Sequence, residues 1–130
     1  MKIAVTIARL LLGLIFFVFG LNGWLQFMPA PEIAGKAGEF IGALVSSGYF
    51  HVIIVIKVVG GLALLSGRYV PLGLTLLGPV IVNILCFHVF LAPEGLITAL
   101  VVSVLEVFLI WSYRTHFAAV FAAKAMPAGS

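Results

Sequence analysis

The sequence predicts an all-α membrane protein, an antiparallel bundle of four transmembrane helices. Of its 130 residues, 64% are hydrophobic and only 8% are charged, whereas roughly half of a soluble domain is apolar. The apolar residues gather in four runs of 17 to 23 residues, each long enough to cross about 30 Å of hydrocarbon as a helix. Because backbone groups in lipid need partners within their own segment, and the runs lack the alternation of barrel strands, helices are the expected structure.

The four predicted spans are residues 3–25, 49–65, 71–90 and 96–113. The connections at 66–69 and 91–95 are short turns that contain Gly or Pro, which places the flanking helices antiparallel. We expect a single four-helix domain over residues 1–130, in which residues 114–130 form a cytoplasmic tail.

The longer connection, residues 27–48, carries apolar side chains at helical spacing. They are Ile33, Ala37, Phe40, Ile41 and Leu44. The charged residues of this segment fall off that stripe, which predicts a short interfacial helix lying over the outer mouth of the bundle.

Charged residues outside the spans divide unequally between the two ends of the predicted bundle. The basic end carries Lys2, Arg68, Arg114 and Lys124, and the opposite end carries Lys36, Glu32, Glu39 and Glu94. An excess of Lys and Arg marks the cytoplasmic side, so both termini are expected there. The first apolar run lacks a small-x-small cleavage pattern, and we expect it to stay in the mature chain.

Composition also excludes several functions. The net charge of +3 comes from dispersed Lys and Arg residues, which form no basic patch for nucleic acid. Cys86 is the only cysteine, so neither an intrachain disulfide nor a C-x-x-C redox pair can form. Any redox role therefore needs a cofactor or a partner subunit.

Ionisable and amide side chains within the spans are the candidate functional residues, because charged groups cost about 2.5–3.5 kcal/mol at a helix centre. They are Arg9, Asn22, Gln26, His51, Lys57, Asn83, His88 and Glu106. We predict a polar intramembrane pocket lined by Arg9, Asn22, Lys57, Asn83 and Glu106, with His51 and His88 at its outer end.

Lys57 and Glu106 are expected to meet inside the bundle. Lys57 lies about 16 Å and Glu106 about 12 Å from the basic ends of their helices, at a rise of ~1.5 Å per residue. The two would form an ion pair or a neutral hydrogen-bonded pair, with Arg9 reaching Glu106 from the basic end. Three interpretations stay open: an internal network that fixes helix register, a ligand-binding or proton-relay site, and, least favoured, a neutral Lys57 without a partner.

His51 and His88 are predicted at the same outer depth, since one opens the second span and the other closes the third. They are interfacial residues that touch headgroups or water, or they belong to the pocket. Two histidines without a set of carboxylates or thiolates do not define a metal site, so no metal is expected.

Three stretches resemble the DoxX family of small four-helix bacterial membrane proteins. They are ARLLLGLIFFVFGLNGWLQF at residues 8–27, GGLALLSGRYVPLGLTLLGPVIVNILCFHVFLAP at residues 60–93 and LEVFLIWSYRTHF at residues 105–117. Two positions depart from the family pattern. Lys57 stands where an acidic residue is common, and LNGW lacks the lysine often found after the Asn. If the acid has moved to Glu106, the pair is a swapped version of a shared arrangement.

The resemblance implies a multi-pass protein of the bacterial inner membrane. Some DoxX-like proteins are linked to quinone-coupled sulfur oxidation or to membrane oxidoreductase complexes, so a quinone is the cofactor implied, and membrane lipids, partner subunits or further copies of the chain are the partners implied. The sequence itself carries no flavin or haem motif.

The leading hypothesis is a quinone- or lipid-interacting subunit, and the alternative is a non-enzymatic scaffold or assembly module whose buried charges serve fold specificity. A carrier or proton pathway ranks last, because no inverted pair of broken helices is present.

Overall fold

The computed structural model of the chain describes residues 1–28 and 32–129, and these residues form helices and turns without a β-strand. The helices are α1 (Lys2–Leu25), α2 (Gly35–Ser46), α3 (Tyr49–Ser66), α4 (Val70–Phe90), α5 (Leu96–Ser112) and α6 (Arg114–Phe117), with a 3₁₀ turn at Pro93–Gly95. The long helices α1, α3, α4 and α5 begin and end within one residue of the spans predicted from the sequence.

The four long helices form the predicted bundle. Each is long and apolar enough to cross a membrane. Their main contacts run from α1 to α3, from α3 to α4, from α4 to α5 and from α5 back to α1. Every helix therefore packs against two neighbours around one common core, and each keeps an outward face for lipid.

Leucine side chains fill the centre of the bundle. Leu12, Leu64, Leu74, Leu77 and Leu109 are fully buried. Outward-facing positions carry apolar residues too, as expected where hydrocarbon replaces water. The hydroxyls of Thr75, Ser103 and Ser112 donate to the carbonyl four residues earlier at 2.7–2.8 Å. Helix backbone thus satisfies these hydroxyls without water.

The tight turn between α3 and α4 depends on two left-handed residues. Gly67 follows α3 with φ 72°, and Tyr69 precedes α4 with φ 59°. A left-handed residue after the last turn is a common helix stop, and glycine adopts it without a steric penalty. Pro71 lies in the first turn of α4, where its missing N–H costs no hydrogen bond.

Glycines allow α1 and α3 to approach closely. A Cβ on Gly61 would lie 2.6 Å from the backbone nitrogen of Phe17 and 2.8 Å from the carbonyl oxygen of Gly13. The two backbones are in direct contact there, as is typical of helix pairs in membranes that use small residues at the crossing.

The helix predicted in the longer connection is α2, which packs near the start of α3 and the end of α4. Ala37 is buried, and the rings of Phe40 and Phe87 lie 5.8 Å apart between centroids. Ile33 was predicted on the same apolar stripe, but it precedes the helix and is exposed. Residues 29–31, within the same connection, lie outside the described residues.

We predict that Gly61→Ala destabilises the bundle by about 1–3 kcal/mol, the usual cost of overpacking. The added methyl group has rigid backbone on the α1 side and cannot be accommodated by a side-chain rotation. The thermal unfolding midpoint of the purified protein in detergent micelles should fall.

Gly42→Ala is the matched control, because a Cβ at Gly42 in α2 meets no atom within 4 Å. Alanine is a better helix former than glycine, so this variant should melt at the same temperature or slightly higher. Equal midpoints for the two variants would show that the α1–α3 contact is loose.

Candidate functional site

Glu106 is a buried carboxyl group in the apolar interior. It shares the inward face of α5 with Ala99, Val102 and Leu109, all buried at helical spacing. Only 4% of the residue is exposed, and neither carboxyl oxygen has a hydrogen-bond partner among the described residues. Buried polar groups are normally paired, so an orphaned carboxyl points to a role that packing does not explain.

The carboxyl group faces the backbone of α4 at a Gly-Pro pair. A Cβ on Gly78 would lie 3.5 Å from Oε2 of Glu106, so the missing side chain leaves room beside the carboxyl. Pro79 continues the helix without an N–H, which leaves the Thr75 carbonyl without its usual helical donor. Near the Glu106 carboxyl, helix α4 therefore lacks a side chain at Gly78 and a backbone hydrogen-bond donor at Pro79.

The predicted pair between Lys57 and Glu106 is wrong, because both carboxyl oxygens are without a partner among the described residues. Lys57 leaves α3 on the side of α1, since a Cβ on Gly20 would lie 3.0 Å from the Cβ of Lys57. Glu106 instead lies against Gly78 on α4. Similar depth did not bring the two groups together, because each side chain packs at a different helix boundary.

Arg9 does not reach Glu106 either. Its Nη1 donates to the carbonyl of Leu64 and, at 3.4 Å, to that of Leu65. These carbonyls belong to the last turn of α3, where helix backbone lacks internal donors and the helix dipole is negative. Arg9 therefore caps α3 from α1, a structural role that satisfies the cation within the protein.

The two asparagines are also bonded to nearby backbone. Asn22 Oδ1 accepts from the N–H of Met28 at 2.8 Å, just after α1 ends in the left-handed residue Gln26. Asn83 Nδ2 donates to the Pro79 carbonyl at 2.8 Å and its side chain is exposed. Asn22 therefore caps a helix end, and Asn83 lies on the outside of α4 instead of in a shared pocket with Glu106.

The histidines bond to separate elements at the ends of their helices. The indole N–H of Trp24 donates to Nδ1 of His51 at 2.9 Å, which links α1 to the start of α3. Nδ1 of His88 lies 3.0 Å from the Ala92 carbonyl at the end of α4. Within residues 1–28 and 32–129, no three His, Cys, Asp or Glu side chains form a metal-binding group.

Two features of the site were not recognised from the sequence. One was the position of Gly78 beside the Glu106 carboxyl, although the Gly78-Pro79 pair does predict a kink in this span and a released Thr75 carbonyl. The capping of α3 by Arg9 was the other. Its signal was the Ser-Gly-Arg turn at residues 66–68, which ends α3 with exposed carbonyls within reach of the first span.

The family comparison agrees with the resemblance. The DoxX family model matches residues 4–91, more than half of the chain. The matched segment runs from α1 through α4 and ends before α5, so Glu106 lies outside it. No curated protein and no solved structure matches the chain significantly.

We predict that Arg9→Met lowers the free energy of unfolding by about 1.5–3 kcal/mol, the value of hydrogen bonds to a charged group. Methionine keeps an apolar stem but leaves the last carbonyls of α3 without their donor. Thermal unfolding in micelles measures the loss. Arg68→Gln, an exposed cation in the turn after α3, should melt like the wild type, and equal losses for both variants would contradict the capping role.

We further predict that Glu106→Met raises the stability of the ligand-free protein by about 1–3 kcal/mol, because it removes a buried group that lacks a partner. The measurement is the melting midpoint in micelles, and Glu94→Gln, exposed at the far end of the bundle, is the control. A destabilised Glu106→Met variant would mean that the carboxyl already has a partner in the native protein.

Proposed function

The chain belongs to the DoxX family, and from this premise we propose that it is a membrane subunit of an oxidoreductase complex that binds a quinone at Glu106. The observation that carries the proposal is the buried carboxyl whose two oxygens are unpartnered among the described residues. A quinone is an apolar ring with carbonyl acceptors, and such ligands bind in apolar sites that contain a few placed polar groups.

Glu106 supplies the polar group of this site. A protonated carboxyl has one O–H donor, which fits a quinone carbonyl oxygen. The ring would then approach Glu106 at the boundary of α4 and α5, where Gly78 places no side chain against the carboxyl.

The redox step balances with a partner protein as the source of electrons. Two electrons from that partner and two protons convert the quinone to a quinol. Glu106 would give one proton to the quinone oxygen that it contacts, the other quinone oxygen would take its proton from water at the membrane surface, and a further proton from water would restore Glu106. The chain thus contributes binding and one proton, while the electrons enter from outside it.

Lys57 is half-buried at the α1–α3 boundary, so it is not placed to donate to a ring at the boundary of α4 and α5. Arg9, Asn22 and Asn83 are less suited, since each already bonds to helix backbone. His51 and His88 likewise have local partners. The proposed site therefore centres on Glu106 and draws little on the other predicted pocket residues.

The second candidate function is a non-enzymatic scaffold or assembly module. It is favoured by two bonds between helices, from Arg9 to the end of α3 and from Trp24 to His51, which specify how α1 and α3 pair. Under this function the buried charges, Glu106 among them, would serve fold specificity only.

The unequal charge of the two ends supports an orientation for either function. We infer that the end with Lys2, Arg68 and Arg114 faces the cytoplasm of a bacterial cell and that the bundle spans the inner membrane. In this orientation α2, with one buried apolar side, lies along the outer interface.

The quinone proposal predicts that a short-chain ubiquinone analogue raises the melting midpoint of the purified protein. A ligand at 100 times its Kd stabilises by about 2.7 kcal/mol. The rise should disappear in Glu106→Met and shrink in Glu106→Gln, which lacks a transferable proton but keeps a hydrogen-bonding amide.

Glu39→Gln serves as the control, because this carboxylate is exposed on α2 and should keep the full response. An unchanged midpoint of the wild type across the titration would reject quinone binding and favour the scaffold. A response that survives in Glu106→Met would place the ligand elsewhere on the protein.

A further inference from the structure

A groove runs along the outward face of α5, on the side of the helix opposite to Glu106. It is an open groove of about 480 Å³ and is lined by Leu100, Ser103, Val104, Val107, Phe108 and Trp111. The Ser103 hydroxyl donates to the Ala99 carbonyl at 2.7 Å, so it is already satisfied within the helix. The groove therefore presents an apolar surface to a ligand. Its volume lies within the range of small-molecule sites.

The groove ends at an arginine held in place by an aromatic ring. The guanidinium carbon of Arg114 lies 4.4 Å from the centroid of the Trp111 ring, and Nη1 donates to the Trp111 carbonyl at 2.9 Å. A guanidinium has five N–H donors in a planar fork that matches phosphate oxygens. Arg114 is exposed, so its remaining donors are free to bind an anion at the membrane surface.

We propose that this groove and Arg114 form a binding site for one anionic phospholipid, with an acyl chain along α5 and the phosphate at Arg114. The distance from Leu100 to Trp111 is about 16 Å at the helical rise, close to half of the ~30 Å hydrocarbon thickness. The groove thus has the depth of one leaflet. Trp111 lies at the headgroup level, where tryptophan is enriched in membrane proteins.

Charge favours an anionic lipid over a second copy of the chain. Lys2, Arg68, Arg114 and Lys124 share this end of the bundle, while one cation, Lys36, lies at the other end with Glu32, Glu39 and Glu94. In a symmetric dimer across α5 the same patch meets itself, so two Arg114 side chains would approach each other. An anionic headgroup instead neutralises the cation at the end of the groove.

The test uses full-length protein with Trp24→Phe, which leaves Trp111 as the only tryptophan. The protein is placed in vesicles of phosphatidylcholine that contain brominated phosphatidylglycerol or, separately, brominated phosphatidylcholine, and bromine near the site quenches Trp111. We expect phosphatidylglycerol to bind about fivefold more tightly, the effect of one basic residue near the surface. Arg114→Gln should remove the preference, whereas Arg68→Gln, at the same end, should keep it.

Arg114→Lys keeps the charge and should retain part of the preference, which separates loss of binding from misfolding. If the two brominated lipids quench Trp111 equally in the protein that keeps Arg114, the proposal is overturned. The groove then holds only non-specific boundary lipid. Weak quenching by both lipids, together with cross-linking between chains at α5, would also overturn it and assign the groove to a dimer.

Discussion

The absence of water from the bilayer core is the constraint on which this structure depends. Every polar group placed there needs a partner within the protein, and the bundle meets this need mostly with helix backbone. Arg9 bonds to the end of α3, and the hydroxyls of Thr75, Ser103 and Ser112 bond to the carbonyl one turn earlier. Against this background the buried carboxyl group of Glu106 stands out, because neither of its oxygens has a partner among the described residues.

The fold could be predicted from the sequence because lipid imposes two strong conditions, the length of an apolar run and the satisfaction of its backbone. Those conditions place α1, α3, α4 and α5 within one residue. They say much less about an interfacial segment, where apolar and polar surroundings meet. Ile33 was accordingly assigned to the stripe of α2, although the helix begins only at Gly35.

The residue types of the site could be predicted from the sequence, but the contacts between those residues could not. Glu106 was identified because a carboxyl in an apolar run is costly, but its partner was not, because depth along a helix does not fix the direction of a side chain around it. Lys57 faces Gly20 on α1 and Glu106 faces Gly78 on α4. The missing information was the contact made by each glycine, which decides where space exists for a neighbouring polar side chain.

Helix α5 presents different chemistry on its two sides. Its inward face holds a carboxyl in a dry interior, and its outward face holds an apolar groove that ends at a fixed cation. A substitution on one face leaves the contacts of the other intact, because the two are separated by the helix itself. The proposals for the two faces of α5 can therefore be tested independently. A lipid bound on the outward face would also fix the depth at which Glu106 lies in the membrane.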